Sequence, residues 1–243
     1  MIDRLVAWIK NQVNEAAALG CVFGLSGGVD SAVVGALCKK ALPDNVLGLY
    51  LPCFSQDQDL TDAKAVADKF SIPTKLVDLQ PVCDQLYQQL EGKAFLHKDK
   101  SLTIANLKPR LRMVSLYYQA NKLNYLVVGT GNRSEAVMGY FTKYGDGGVD
   151  LLPLGELLKS QVRELARKLG VPQQIIDKPP SAGLWSGQTD EEELGITYEE
   201  LDKIIRAMDS KETKGLNIEK VALVKRRIQA SAHKLCPPPV YKP

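Results

Sequence analysis

Apolar positions along the chain follow two different periods. Short apolar runs recur at about 21–25, 46–51, 74–79 and 125–129, with the length and composition of buried strands. Helical spacing fills the intervals near 31–42, 59–70 and 101–121. At the amino terminus, Ile2, Leu5, Val6, Ile9 and Val13 share one side of an amphipathic helix. Strands alternating with helices predict an α/β fold whose mainly parallel sheet is covered on both faces. After Pro153, Glu156–Leu169 reads as a helix stopped by Gly170. The stretch 177–196, with Pro179-Pro180, Gly183, Gly187 and the acidic run Asp190–Glu193, reads as a loop holding one short helical turn. Two further helices are expected at about 197–210 and 217–231, before Pro237-Pro238-Pro239 forbids continuation. No repeat or low-complexity linker interrupts the pattern, so residues 1–243 are expected to form one domain.

The first strand runs into Leu25-Ser26-Gly27-Gly28-Val29-Asp30-Ser31-Ala32, and Val33, Val34, Ala36 and Leu37 then take up helical spacing. Strand, glycine turn and helix N-terminus together suit phosphate: the glycines admit close backbone approach and helix N–H groups point at the anion. A Gly-Gly turn with a capped helix is common on its own, and only the full arrangement is specific. Asp30 beside phosphate calls for a divalent cation between them. Neither the GxxxxGK[ST] loop nor the GxGxxG dinucleotide fingerprint occurs at this turn.

A second glycine turn, Gly129-Thr130-Gly131-Asn132, ends the strand at 125–129 and is expected to face the first across one crevice. Glu135 lies just beyond it and pairs with Asp30 as a plausible Mg²⁺ ligand set, although a helix-capping surface Glu has the same signature. Asp146 and Asp150 flank Gly147-Gly148 and suit either Asx turns or hydrogen bonds from a ligand. Lys108, Arg110, Arg112, Lys143 and Lys159 supply positive charge of the kind a departing polyphosphate needs, though each alone reads more readily as solvated surface. His97 and His233 lack metal-ligand spacing, and no Ser-His-Asp set can be assembled.

Composition excludes more than it assigns. Lys+Arg total 31 against 28 Asp+Glu, a net +3 that gives no argument for nucleic acid. No run reaches transmembrane length, and the five cysteines, odd in number and without ligand spacing, suit inert thiols in a reducing cytoplasm.

At these residues the chain resembles the ammonia-dependent NAD synthetases. The SGGxDS loop at Ser26–Ser31 is similar to that of all N-type ATP pyrophosphatases. Asn106–Met113 resembles the family's N-x-x-x-R-x-R-M signature. Gly129–Asn132 with Ser134-Glu135, Gly139–Gly147, Lys178–Trp185 and Gly187–Glu191 resemble its later segments, so the likeness runs nearly the whole length. The resemblance implies a three-layer α/β sandwich with a mostly parallel central sheet, adenine nucleotide α-hydrolase-like. It implies ATP-dependent amidation of nicotinic acid adenine dinucleotide (deamido-NAD) by ammonia, through an adenylated intermediate, to NAD, AMP and pyrophosphate. By carry-over, Ser26, Gly27, Gly28, Val29, Asp30 and Ser31, with Arg110, Thr130, Lys159 and Ser181, would form the ATP site. Asp30, Lys159 and Ser181 would be catalytic, and Asp30 and Glu135 would hold Mg²⁺. Lys143, Asp146, Asp150, His233 and Lys234 would read deamido-NAD. A cytoplasmic homodimer is implied, with no nucleic-acid or membrane partner.

The family often has Arg after its closing His-Lys pair, whereas Leu235 stands here. A phosphate turn beginning at Ser26 leaves no room ahead of it for the amidase domain of glutamine-dependent members, so free ammonia is the expected nitrogen source, with a separate glutaminase left open. Two rivals compete: an RNA-acting ATP pyrophosphatase, disfavoured by the charge balance and scattered cysteines, and a universal-stress-type ATP sensor, which would leave Glu135 and Asp146 without work.

Overall fold

The computed structural model describes residues 1–95, 101–183, 187–212 and 214–242. His97, Leu184 and Trp185 lie outside the described residues. Four parallel strands, β1 (Gly20–Gly24), β2 (Val46–Tyr50), β3 (Thr74–Leu76) and β4 (Tyr125–Val127), form a sheet in the order β3-β2-β1-β4. The parallel register pairs Cys21 with Val46 on one side of β1 and with Leu126 on the other.

Period-two alternation distributes each strand between two cores. Cys21, Phe23, Val46 and Tyr50 face a core closed by α1 (Ile2–Glu15), α2 (Val29–Ala41), α3 (Asp57–Phe70) and, further along the chain, α8 (Lys159–Leu169) and α9 (Gln173–Asp177). Val22, Leu49 and Val127 face the opposite core, covered by α4 (Gln80–Glu91) and α6 (Leu107–Leu123). Helices on both faces of a parallel sheet make the expected three layers. A third cluster joins α7 (Arg133–Met138), α10 (Asp190–Leu194), α11 (Tyr198–Asp209) and α12 (Ile218–Leu235) around Met138, Tyr198, Leu201 and Val224.

Several elements depart from the expected pattern. The helix expected over 101–121 is two, α5 (Leu102–Ala105) and α6, meeting at Asn106. Pro109 explains the break: it sits in the first turn of α6, where its missing N–H costs nothing, and could not sit inside a continuous helix. The helix expected from Glu156 begins at Lys159 instead, after a turn closed by Leu157 N–H donating to Leu154 O at 2.8 Å. Helices α4 and α9 were not foreseen. Among the cysteines, Cys21, Cys38, Cys53 and Cys83 are buried free thiols, whereas Cys236 is exposed. Among the described residues, no helix is long and apolar enough to cross a membrane.

Candidate active site

The two glycine turns meet at the C-terminal edge of the adjacent strands β1 and β4. In the first, Gly27 has φ +78°, and a Cβ there would stand 2.4 Å from the Asp59 carbonyl oxygen at the start of α3. Both facts require glycine. Ser31 Oγ accepts from Ser26 N–H (3.2 Å) and donates to Gly28 O (2.9 Å), so the turn is held by its own hydroxyls. Gly28, at the N-cap of α2, supplies no side-chain acceptor to the first-turn N–H groups of the helix.

The second turn is braced to the first. Asn132 Oδ1 accepts from Glu135 N–H at 3.0 Å and Glu135 Oε2 accepts from Asn132 N–H at 3.2 Å, a reciprocal cap of α7. The same Asn132 donates through Nδ2 to Asp30 Oδ1 at 2.9 Å. The expectation of a shared crevice is met by this bond.

Lys159 closes the arrangement from the first position of α8. It is 2% exposed, and its ammonium contacts Asp30 Oδ2 at 2.5 Å and Glu135 Oε1 at 3.1 Å. It also lies 5.0 Å from the centre of the Tyr198 ring. Its backbone is fixed by the buried Asp202, which accepts from Ser160 N–H (2.9 Å) and Ser134 Oγ–H (2.5 Å), while Ser134 Oγ accepts from Lys159 N–H (3.0 Å). Behind it, the Tyr198 hydroxyl donates to Asp190 Oδ2 at 3.0 Å. Burial pushes the Glu135 carboxyl up to about 7, with the Asp30 charge adding to the shift and Lys159 opposing it. Burial also draws the Lys159 ammonium down, but the charges of Asp30 and Glu135 outweigh it and the net direction is upward.

This knot has the chemistry of a cation site. Two carboxylates already share one cation, the lysine ammonium, and both offer the hard oxygen donors that Mg²⁺ prefers. Among the described residues, no group of three or more Asp, Glu, His or Cys is suited to hold a metal. By the chemistry of their oxygens, Asp30 and Glu135 would suit Mg²⁺ as the protein's share of a shell completed by phosphate and water.

Other expected residues fall into two groups. Arg110 reaches the Lys143 carbonyl at 3.4 Å, so it lies beside the second glycine-rich segment. Asp146 Oδ1 accepts from Thr142 N–H at 2.9 Å, Thr130 is half-buried in its turn, and Ser181 is exposed with its hydroxyl accepting from Gly183 N–H. The second group is engaged within the fold. Asp150 braces β4 to α6, accepting from Val127 N–H (2.7 Å) and Tyr117 O–H (2.9 Å). Lys143 donates to the carbonyls of His233 (2.5 Å) and Cys236 (3.2 Å) at the end of α12. Lys234 reciprocates, donating to Gly139 O (2.8 Å) and Phe141 O (2.9 Å), while His233 is exposed. A Cβ on Gly139, at φ +61°, would stand 2.0 Å from Ser231 Cβ, so α12 presses directly on this loop.

Sequence reasoning missed Asn132 as the link between the turns, and Ser134, Asp190, Tyr198 and Asp202 as the support of Lys159. Asn132 carried a signal, since Asn followed by Glu three residues on is a capping box. Asp190 and Asp202 looked like ordinary members of acidic helical stretches, and nothing local marks them as buried.

A sheet edge that combines an anion turn with a carboxylate-bound lysine suits a polyphosphate and its cation, as in a nucleotide-binding α/β protein. The comparisons narrow it. A profile of the NAD synthase family matches residues 1–238, and the chain belongs to that family. The NH3-dependent NAD synthetase of Carboxydothermus hydrogenoformans is 49% identical over 96% of this chain and 93% of its own length. That of Archaeoglobus fulgidus is 45% identical over 99% and 95%. A solved structure of NMN synthetase from Francisella tularensis superposes with a TM-score of 0.89 at 38% identity, covering 99% of this chain and 97% of the other. The NH3-dependent NAD synthetase of Campylobacter jejuni, solved with nitrate, gives 0.83 at 30% identity with the same coverage.

Proposed function

We propose that the protein amidates deamido-NAD to NAD with ATP and ammonia. The observation that carries this reading is the Lys159–Asp30–Glu135 knot set beside the Ser26–Ser31 turn, within a chain nearly half identical to ammonia-dependent relatives. The nicotinate carboxylate attacks the α-phosphorus of ATP, the bond to pyrophosphate breaks, and ammonia then displaces AMP from the acyl carbon while losing one proton. Ser26, Gly28 and Ser31, with Gly27 and Val29 shaping the turn, hold phosphate by backbone N–H and hydroxyl groups. Asp30 and Glu135 would hold Mg²⁺, which would offset polyphosphate charge. Lys159 remains between them and stabilises negative charge on the departing oxygen. Thr130 and Arg110 flank the nucleotide, and Ser181 approaches phosphate from its loop. Asp146, Asp150, Lys143, His233 and Lys234 form the dinucleotide side, and Lys143 and Lys234 reach it by exchanging backbone carbonyls for anionic ligand oxygens.

A homodimer in the cytoplasm completes the reading. Val114 (59% exposed) and Tyr118 (65%) follow Arg110 at four-residue intervals on the outer face of α6, an apolar stripe suited to a second copy.

The likeness to an NMN synthetase favours a second reading, in which the carboxylate substrate is the mononucleotide. One experiment decides. With Mg²⁺-ATP and ammonium, deamido-NAD should give NAD and one AMP per amide, faster than nicotinic acid mononucleotide gives its amide. Preference for the mononucleotide establishes the second reading, and ATP turnover with neither acceptor removes both.

A further inference from the structure

Lys178 has a place in the fold that the reaction scheme does not use. It follows α9, and its ammonium bridges two carboxylates of α3, Asp59 Oδ1 at 2.8 Å and Asp62 Oδ2 at 2.6 Å. Asp62 is 4% exposed and Lys178 keeps only 27% of its side chain open, so this is a largely buried bridge rather than a surface pair. Asp62 is also held by Gln58, whose Nε2 donates to Oδ1 at 2.8 Å, and Asp59 Oδ2 accepts from Gln56 N–H at 3.3 Å. The acids are thus held by partners besides the lysine.

Their location matters. The Asp59 carbonyl and the Asp62 side chain are the atoms that crowd Gly27, the glycine at the centre of the phosphate turn. Lys178 is therefore anchored to the part of α3 that packs on that turn. From Lys178 the chain runs Pro179-Pro180-Ser181, two residues of fixed φ that leave little rotational slack. The far end is pinned as well, because the Pro180 carbonyl accepts from Asp190 N–H at 2.9 Å at the start of α10.

We propose that Lys178 is a positioning residue for the nucleotide: its bridge to Asp59 and Asp62, carried through two prolines, sets the Ser181 hydroxyl against the phosphate turn. The proposal rests on the reading of that turn as the ATP site. Lys178 acts through Ser181 and not by touching the reacting atoms.

The test uses the full chain with K178M, K178R and the triple variant K178M/D59N/D62N. The triple variant removes the buried charges that K178M would strand, so it keeps the experiment decisive where K178M fails to fold. KM for ATP should rise about tenfold in K178M and in the triple variant, the size expected for losing charge-assisted positioning. KM for ammonium should not change, and K178R should return to within about threefold of the parent. Backbone amide exchange at Ser181–Gly183 should accelerate in the same two variants, independently of turnover. A folded triple variant with parental ATP KM would overturn the proposal, showing that Lys178 only neutralises Asp59 and Asp62. Accelerated exchange in a protein whose parent makes no NAD would support the tether and remove the functional reading alone.

Discussion

Lys159 and the pair Lys143–Lys234 carry the same charge but are held in opposite ways. Lys159 is buried against two carboxylates, while Lys143 and Lys234 are half-buried and rest on backbone carbonyls at the end of α12 and its facing loop. A carboxylate partner carries a full charge, so another cation or a proton must relieve it if the lysine leaves. A carbonyl carries a partial charge and keeps its peptide dipole satisfied by water when the lysine turns away. The first arrangement is a permanent fixture, and the second can be given up to an anionic ligand.

The strongest way to break this contrast is K159M. Two largely buried carboxylates would lose their shared cation, at a cost of about 3–5 kcal/mol in denaturant unfolding, and NAD formation should fall by roughly a thousandfold or more. A variant of parental stability would place Lys159 in the same category as the other two.

Next in size is a pH effect confined to the knot. The Glu135 carboxyl lies at about 7 in the fold against an ordinary 4.5. Between those values the folded protein holds a proton that the unfolded chain has lost, so stability should fall as pH rises from about 4.5 to 7. The full drop for an isolated group would be about 3 kcal/mol. E135Q should flatten that part of the stability–pH curve, and an unchanged slope would remove Glu135 as its source.

The smallest effects belong to the clasp that Lys143 and Lys234 form with backbone carbonyls. K143M and K234M should each cost about 1 kcal/mol or less in stability. Their KM for deamido-NAD should rise about three- to tenfold, with little change in KM for ATP. A larger loss of stability than of affinity would mark the clasp as structural and close the contrast from the other side.

These differences explain what the chain made legible. β1, the Ser26–Ser31 turn and α2 are contiguous, so Cys21–Phe23, Gly27-Gly28 and Val33–Leu37 announce them locally. Pairing Asp30 with Glu135 followed from two strand-end turns sharing a sheet edge. Helix α4 stayed hidden because Cys83 is its one buried residue, with Val82 and Leu90 exposed, so its apolar spacing marks no continuous face. Asp202 and Tyr198 were beyond reach for another reason: their roles depend on α11 docking on α8, a contact no local pattern encodes. Asp146 and Asp150 look alike in the sequence, two acids beside two glycines, and only the fold shows that Asp150 has β4 and Tyr117 as partners.

The parallel register has a temporal meaning as well. Gly20 pairs with Tyr125, so one flank of the central strand waits until more than a hundred further residues exist. At a synthesis rate of about 5–20 residues per second, that is roughly 5–20 s of life on the ribosome. Throughout that interval the nascent chain carries an open strand edge beside its nucleotide turn, and only the arrival of β4 brings Asn132 and Glu135 to Asp30. Pairing of the central strand's second flank and the meeting of Asp30 with Asn132 are therefore one event, and Lys159 joins them from farther along the chain.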